Sequence, residues 1–240
     1  MIRKKVFAPL PACEFRQRGI EMHRIEALSD AVFAFSVSLL VVSLEVPQTF
    51  DELRIILRGA IPFFATVAMI FLFWYQQYRF FRNYGLNDFT TILLNLAYLA
   101  VILFYVYPLK FLFSLLLSSW TGINLFPLAT ERGIPVIQQE DFYQLIILFS
   151  IGYCFTWLLL FLMHQRVMVF KKKLELNAFE ILYTSKEKRG AIWNVYVGFI
   201  AILLAFAGLE LLSGIIYLLI PFLLILNNRL FKRRIKLLKK

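Results

Sequence analysis

Residues 23–47 read H-R-I-E-A-L-S-D-A-V-F-A-F-S-V-S-L-L-V-V-S-L-E-V-P. Residues 31–44 carry no ionisable group, and Pro47 closes the run. A helix over 24–45 would be about 33 Å long, enough to cross a bilayer core. Its polar cargo sets it apart from a greasy anchor. Arg24, Glu26, Ser29 and Asp30 crowd its first turns, and Ser36, Ser38 and Ser43 recur deeper in. An aspartate that far into a spanning helix costs about 2.5–3.5 kcal/mol on insertion scales, so it requires a partner.

The rest of the chain agrees with a membrane setting. Of 240 residues, 60% are hydrophobic and only 17% charged, and the mean hydropathy is +0.72. A soluble domain of this length has nowhere to bury so much apolar surface. The net charge of +11 might suggest nucleic acid as a partner. Its placement in clusters between apolar runs argues for a bilayer and against nucleic acid.

Six spans follow, near 24–45, 55–78, 89–117, 142–163, 191–208 and 211–226. The expected fold is an all-α membrane protein. Of the 26 basic residues, only Arg54, Arg58, Lys110 and Arg132 fall on one side of this layout. The asymmetry places both termini in the cytoplasm. Three units result: a cytoplasmic arm over 1–22, a six-helix domain over 23–228, and a basic tail over 229–240. The arm is not expected to be a signal peptide, because Pro9, Pro11, Glu14 and Arg16 interrupt its apolar run. The tail is expected to touch anionic lipid, at about 1 kcal/mol per basic residue near the surface.

Several residues carry particular expectations. Trp74, Tyr75 and Tyr78 suit an interfacial aromatic belt, with Arg79 and Arg82 beside them. Gln77 and Asn95 are amides at membrane depth and demand partners. With Asp30 they mark one end of three consecutive helices. Arg24 and Asp30, six residues apart, do not face one another on a helix, so neighbouring helices are expected to satisfy Asp30. Pro108 should bend or end the third span. His164 is expected at a solvated interface, and the 166–190 connection to be basic and partly helical, extending the fourth span. Cys13 and Cys154 fall at different depths, so no disulfide is expected.

The chain shows no H-E-x-x-H, C-x-x-C, P-loop or G-x-S-x-G element. Catalytic residues, a metal site and cofactors are therefore not expected. No filter-like T-V-G-Y-G sequence is present either.

Arg24, Leu28, Ser29, Asp30 and Ala34 fall on the signature R-x-x-x-F-S-D-x-x-x-A, with leucine replacing the phenylalanine. The run from Trp74 to Arg82 is similar to W-x-x-H-H-R-L-F-R, but has Gln77 and Tyr78 at the histidine positions. Asn95 and Tyr107-Pro108 are similar to L-N and F-P elements. Over residues 24–108 the chain thus resembles the transmembrane protein 175 family of potassium channels. The resemblance implies a potassium-selective or potassium-preferring cation channel, with potassium as the permeant ion and a prokaryotic plasma-membrane location. It also implies a homotetramer of six-helix units whose first helices line the pore, with apolar side chains forming a constriction.

Two stripes of the first helix compete for the pore. Leu28, Ala31, Phe35, Ser38, Leu39 and Val42 fall within about 100° of one another at helical spacing. Ser29, Ser36 and Ser43 form a second stripe at heptad spacing. A water path would favour the serines. The resemblance maps the constriction onto Phe35, Ser38 or Leu39, and Val42, leaving the serines to let helices approach closely. Glu45 and Asp51 are candidates for attracting ions at the outer mouth. The alternative function is a proton-coupled secondary transporter using Asp30, although no inverted repeat supports it.

Overall fold

A computed structural model describes residues 15–42, 46–126, 133, 136–137 and 139–238. Cys13, Ser43, Glu45 and Arg132, singled out above, lie outside the described residues. The described chain is helical. Its elements are α1 (Arg24–Val42), α2 (Phe50–Arg58), α3 (Ala60–Tyr84), α4 (Phe89–Thr121), α5 (Gln139–Val169), α6 (Ala178–Phe206), α7 (Glu210–Ile215), a 3-10 turn (Ile216–Leu218) and α8 (Leu219–Leu238). Six segments are long and apolar enough to cross a membrane.

Local chemistry sets the helix ends. Gly85 ends α3 in the left-handed region, with φ 59°, and donates its N–H to the Phe81 carbonyl. Asp88 then caps α4 by accepting from the Thr91 N–H. Asn177 and Glu180 form a reciprocal capping box at the start of α6. Pro62 sits in the first turn of α3, where a missing N–H costs nothing.

The helices meet in chain neighbours. α1 packs on α3 and α4, α4 on α5, α5 on α6, and α6 on α8. The core is aromatic, with Phe33, Phe73, Phe80, Phe81, Tyr84 and Tyr98 all buried. Buried hydroxyls find acceptors, as apolar surroundings require. Tyr98 donates to the Phe73 carbonyl at 2.9 Å and Tyr105 to the Phe149 carbonyl at 2.8 Å. Tyr153 bonds the Asn194 amide oxygen.

Two sequence expectations, the start of the second span and the setting of His164, require correction, and two others are narrowed. The second span does not begin at 55, because F-D-E-L-R-I-I-L-R folds as the separate amphipathic helix α2 before Gly59. Of the two expectations for Pro108, a bend in the third span or its end, the end is excluded, since α4 continues to Thr121. Its neighbours Val106 and Leu109 are both buried, and that packing offsets one missing backbone bond. The 166–190 connection is partly helical and extends the fourth span, to Val169, as expected; it narrows to a turn over 170–177 because 178–190 is the first half of α6. His164 is buried rather than solvated. Its Nδ1 donates to the Leu160 carbonyl at 2.8 Å, and the Phe80 and Tyr84 rings meet it edge to face. The basic segment 229–238 continues α8 as helix.

Candidate functional site

α1 has two unlike faces. Ile25, Ser29, Phe33, Ser36 and Leu40 are buried against the chain's own helices. Leu28, Ala31, Ala34, Phe35, Ser38, Val41 and Val42 are exposed, and Leu39 is half-buried. Phe35 is 57% exposed and Val42 78%.

The serines of the buried face satisfy themselves. Ser29 Oγ donates to the Ile25 carbonyl at 2.7 Å, and Ser36 Oγ to the Val32 carbonyl at 2.8 Å. Such back-bonding lets a hydroxyl sit in an apolar contact without water. Ser38 Oγ likewise reaches the Ala34 carbonyl at 3.0 Å, but on the exposed face.

A chain of amides ties the start of α1 to its neighbours. Gln77 Nε2 donates to Asn95 Oδ1 at 2.9 Å, and Asn95 Nδ2 donates to Ser29 Oγ at 3.0 Å. All three residues are buried. Alongside, Trp74 Nε1 donates to Asp30 Oδ1 at 2.8 Å. The Trp74 indole stacks on Tyr78, with ring centroids 5.5 Å apart. Five of the predicted positions, Ser29, Asp30, Trp74, Gln77 and Asn95, therefore meet in one place, joining α1, α3 and α4. Arg24, Leu28 and Ala34 do not join them and stay on the exposed side.

A cavity of about 100 Å³ lies beside this network, lined by Gly19, Glu26, Asp30, Gln77, Phe81 and Arg82 among others. One wall is a strap, residues 15–23, which runs straight into α1. The strap was not visible in the sequence as a structural element. Arg18 N donates to the Asn83 carbonyl and Gly19 N to the Arg82 carbonyl, each at 3.2 Å. Arg82 Nη1 donates back to the Gly19 carbonyl at 2.8 Å. Only glycine fits at 19, since a Cβ there would stand 2.2 Å from the Phe81 carbonyl oxygen.

Glu180 fastens the strap. It accepts from Arg18 Nη1 at 2.8 Å, from Arg18 Nη2 at 2.7 Å and from the Arg16 N–H at 2.9 Å. It also accepts from the Asn177 N–H at 3.0 Å, as the capping box requires. The pattern N-A-F-E at 177–180 was a readable signal for the cap. Nothing local announced the partner 162 residues away.

Further ion pairs gather at the same basic end. Arg79 meets Glu187 at 3.0 Å, and Arg166 meets Asp88 at 2.8 Å. Burial alone would raise the Asp88 carboxyl. Hydrogen bonds from Thr91 and Arg166 outweigh it and hold the group below the usual aspartate value. Among the described residues, no group of His, Cys, Asp and Glu is arranged to hold a metal ion.

Six apolar helices, buried hydroxyls and amides that pair inside the chain, and ion pairs at one end define a multi-pass helical membrane protein. Its polar-loaded first span matches a known group of such proteins. A family model described as "Endosomal/lysosomal potassium channel TMEM175" matches residues 24–105. A protein named "Potassium channel" from Marivirga tractuosa is 35% identical over 235 residues, covering 94% of each chain. The crystal structure of the potassium channel MtTMEM175, as a point variant bound to a nanobody–MBP fusion, superposes with a TM-score of 0.80. That match is at 34% identity and covers 92% of this chain and 97% of the other. The chain belongs to the TMEM175 potassium-channel family. A lysosomal potassium-selective channel TMEM175 homolog from Chamaesiphon minutus shares the fold at 17% identity and a TM-score of 0.54. It covers 85% of this chain and 97% of its own.

Proposed function

We propose that the chain is one subunit of a homotetrameric, potassium-preferring cation channel in a prokaryotic plasma membrane. In this reading, 1–22 is a cytoplasmic arm, 23–228 the channel unit, and 229–240 a basic cytoplasmic tail. Four copies of α1 surround the symmetry axis, with Phe35, Ser38, Leu39 and Val42 forming a hydrophobic constriction. Arg24, Leu28, Ser29, Asp30 and Ala34 position or gate that helix, supported by Trp74, Gln77 and Asn95. No cofactor takes part.

The observation that carries the reading is the split of α1 into a satisfied and an uncovered face. A helix in a bilayer has no hydrophobic drive of its own to expose one stripe rather than another. Here the hydroxyls at 29 and 36 are spent on backbone carbonyls inside the chain. The stripe with Phe35, Ser38 and Val42 is left for another surface. Small residues Ala31, Ala34 and Ser38 on that stripe let four copies come close, and cyclic symmetry supplies the copies. A ring of apolar side chains excludes ions by dewetting until it widens.

The transporter alternative fares worse. Asp30, its proposed proton carrier, is held by the Trp74 indole, and the family is one of channels. Unitary currents and reversal potentials in mixed potassium and sodium solutions test the proposal, together with the mass of the assembly in gentle detergent. A monomer or dimer, or slow saturable flux without unitary steps, would overturn it.

A further inference from the structure

α6 and α8 change character at a common level near their basic ends. On α6, Trp193 is the aromatic residue closest to the boundary, and Arg189 stands one turn beyond it. On α8 the apolar run over 219–226 gives way to Asn227, Asn228 and Arg229. A hydrogen-bonded bridge fixes the two transitions side by side. Arg189 Nε donates to Asn227 Oδ1 at 2.8 Å, and Asn227 Nδ2 donates to the Lys186 carbonyl at 3.0 Å. Asn227 is buried.

The basic end of α8 is anchored rather than loose. Phe231 packs on Phe179 and Tyr183, at 5.9 and 6.0 Å between ring centroids. Lys186 lies 5.4 Å from the Phe231 ring. The Arg189 guanidinium sits 5.8 Å from the Trp193 ring, a pairing suited to the headgroup level of a bilayer.

This end carries an excess of cations without counter-charge. With Nε taken by Asn227, neither Nη of Arg189 makes a hydrogen bond among the described residues. Arg234 is close enough for its charge to act on Arg189. Among the described residues, none of Arg189, Arg229, Lys232, Arg233, Arg234 and Lys236 joins an ion pair. The nearby acid on α6, Glu187, is engaged by Arg79 and Lys186. Arg189 is half-buried and Arg234 exposed, and two guanidinium groups within reach of each other's charge repel less when an anion lies between them.

We propose that the basic ends of α6 and α8 form a headgroup site for an anionic phospholipid, centred on Arg189 and Arg234. The free edge of the Arg189 fork takes a phosphate oxygen pair, the geometry in which arginine exceeds lysine. Arg234 and its basic neighbours on α8 supply the remaining charge. The lipid tails lie along apolar side chains that both helices expose deeper in, among them Tyr196 and Ile200 on α6 and Phe222 and Leu226 on α8. This apolar continuation selects a lipid phosphate over a free one.

The test is lipid retention by the full-length protein. It is purified from vesicles of phosphatidylcholine with phosphatidylglycerol, and the bound lipid is read by native mass spectrometry. Wild type should retain phosphatidylglycerol over phosphatidylcholine. The Arg189→Gln/Arg234→Gln pair should lower that preference by at least about tenfold. Arg234→Gln alone removes no hydrogen bond among the described residues and should lower it in part, which covers a double variant that misfolds. Lys172→Gln/Lys173→Gln, in the turn before α6, should leave it unchanged. Unaltered retention in Arg234→Gln and in a folded double variant would overturn the site. So would equal loss in the lysine pair, which would mean diffuse charge. Displacement of the lipid by inorganic phosphate would overturn the lipid assignment in favour of a free-anion site.

Discussion

Replacing Glu180 with glutamine removes one charge and keeps most of the shape of the strap's anchor. The wild-type carboxylate is 1% exposed and accepts both Nη groups of Arg18 and the N–H groups of Arg16 and Asn177. Breaking one partner of a buried ion pair costs about 3–5 kcal/mol, because the other charge stays behind. Arg18 is 13% exposed and keeps the carbonyls of Arg16, Leu174 and Glu175, so the lower figure applies. About 3 kcal/mol raises the open population of the strap on the order of a hundredfold. Limited trypsin digestion reads this directly, since Arg16 and Arg18 are themselves cleavage sites. The expected result is cleavage faster by roughly that factor in Glu180→Gln. Arg18→Lys keeps the charge but loses the fork, and should fall between. Wild-type cleavage rates in Glu180→Gln would refute the reasoning and leave the Gly19–Arg82 pairing as the true fastening.

Other outcomes follow from the same structure. Asn95→Leu strands the Gln77 amide in the core and should lower stability by about 1–3 kcal/mol in a detergent melt, while adding Gln77→Leu should recover part of the loss. Asp88, with its folded-state value depressed, contributes stability that is present above its unfolded value and lost as pH falls through the folded one; wild type should therefore lose its thermal advantage over Asp88→Asn below about pH 4. Phe35→Ala should raise cation conductance and weaken the potassium preference, with Ser36→Ala altering permeation little; the reverse pattern in matched recordings would exchange the two stripes of α1.

The spanning helices were legible because an apolar run long enough to cross a bilayer has few other uses, and charge clusters punctuate it. The demand of Gln77 and Asn95 for partners was also legible, since an amide in hydrocarbon cannot go unpaired. What remained hidden depends on contacts distant in sequence. Glu180 reads as one acid in a basic connection until Arg18 is brought to it. His164 reads as interfacial until Phe80, Tyr84 and the Leu160 carbonyl enclose it. Pro108 reads as a break because the packing of Val106 and Leu109 is not written in the local sequence. α2 is a subtler miss: a span drawn from 55 cuts through it, although its spacing leaves Phe50, Leu53 and Leu57 on one exposed apolar side.

The serines of α1 show why polarity alone is a poor guide to a water path. Polarity alone would turn the hydroxyls of Ser29, Ser36 and Ser38 toward an aqueous lumen. Each instead closes on a carbonyl four residues earlier, so none needs water to be satisfied. Their placement is then free to follow size, and Ser29 and Ser36 lie buried against neighbouring helices. In the proposed tetramer, among the described residues, the uncovered face of α1 offers ions one hydroxyl, Ser38, set between Phe35 and Val42. Because that hydroxyl already donates to Ala34, it meets the lumen with its lone pairs, as an acceptor suited to a cation rather than an anion. Four phenyl faces one turn away add attraction of about 0.5–2 kcal/mol per contact. A constriction built this way is dry when narrow, yet favours cations once it opens.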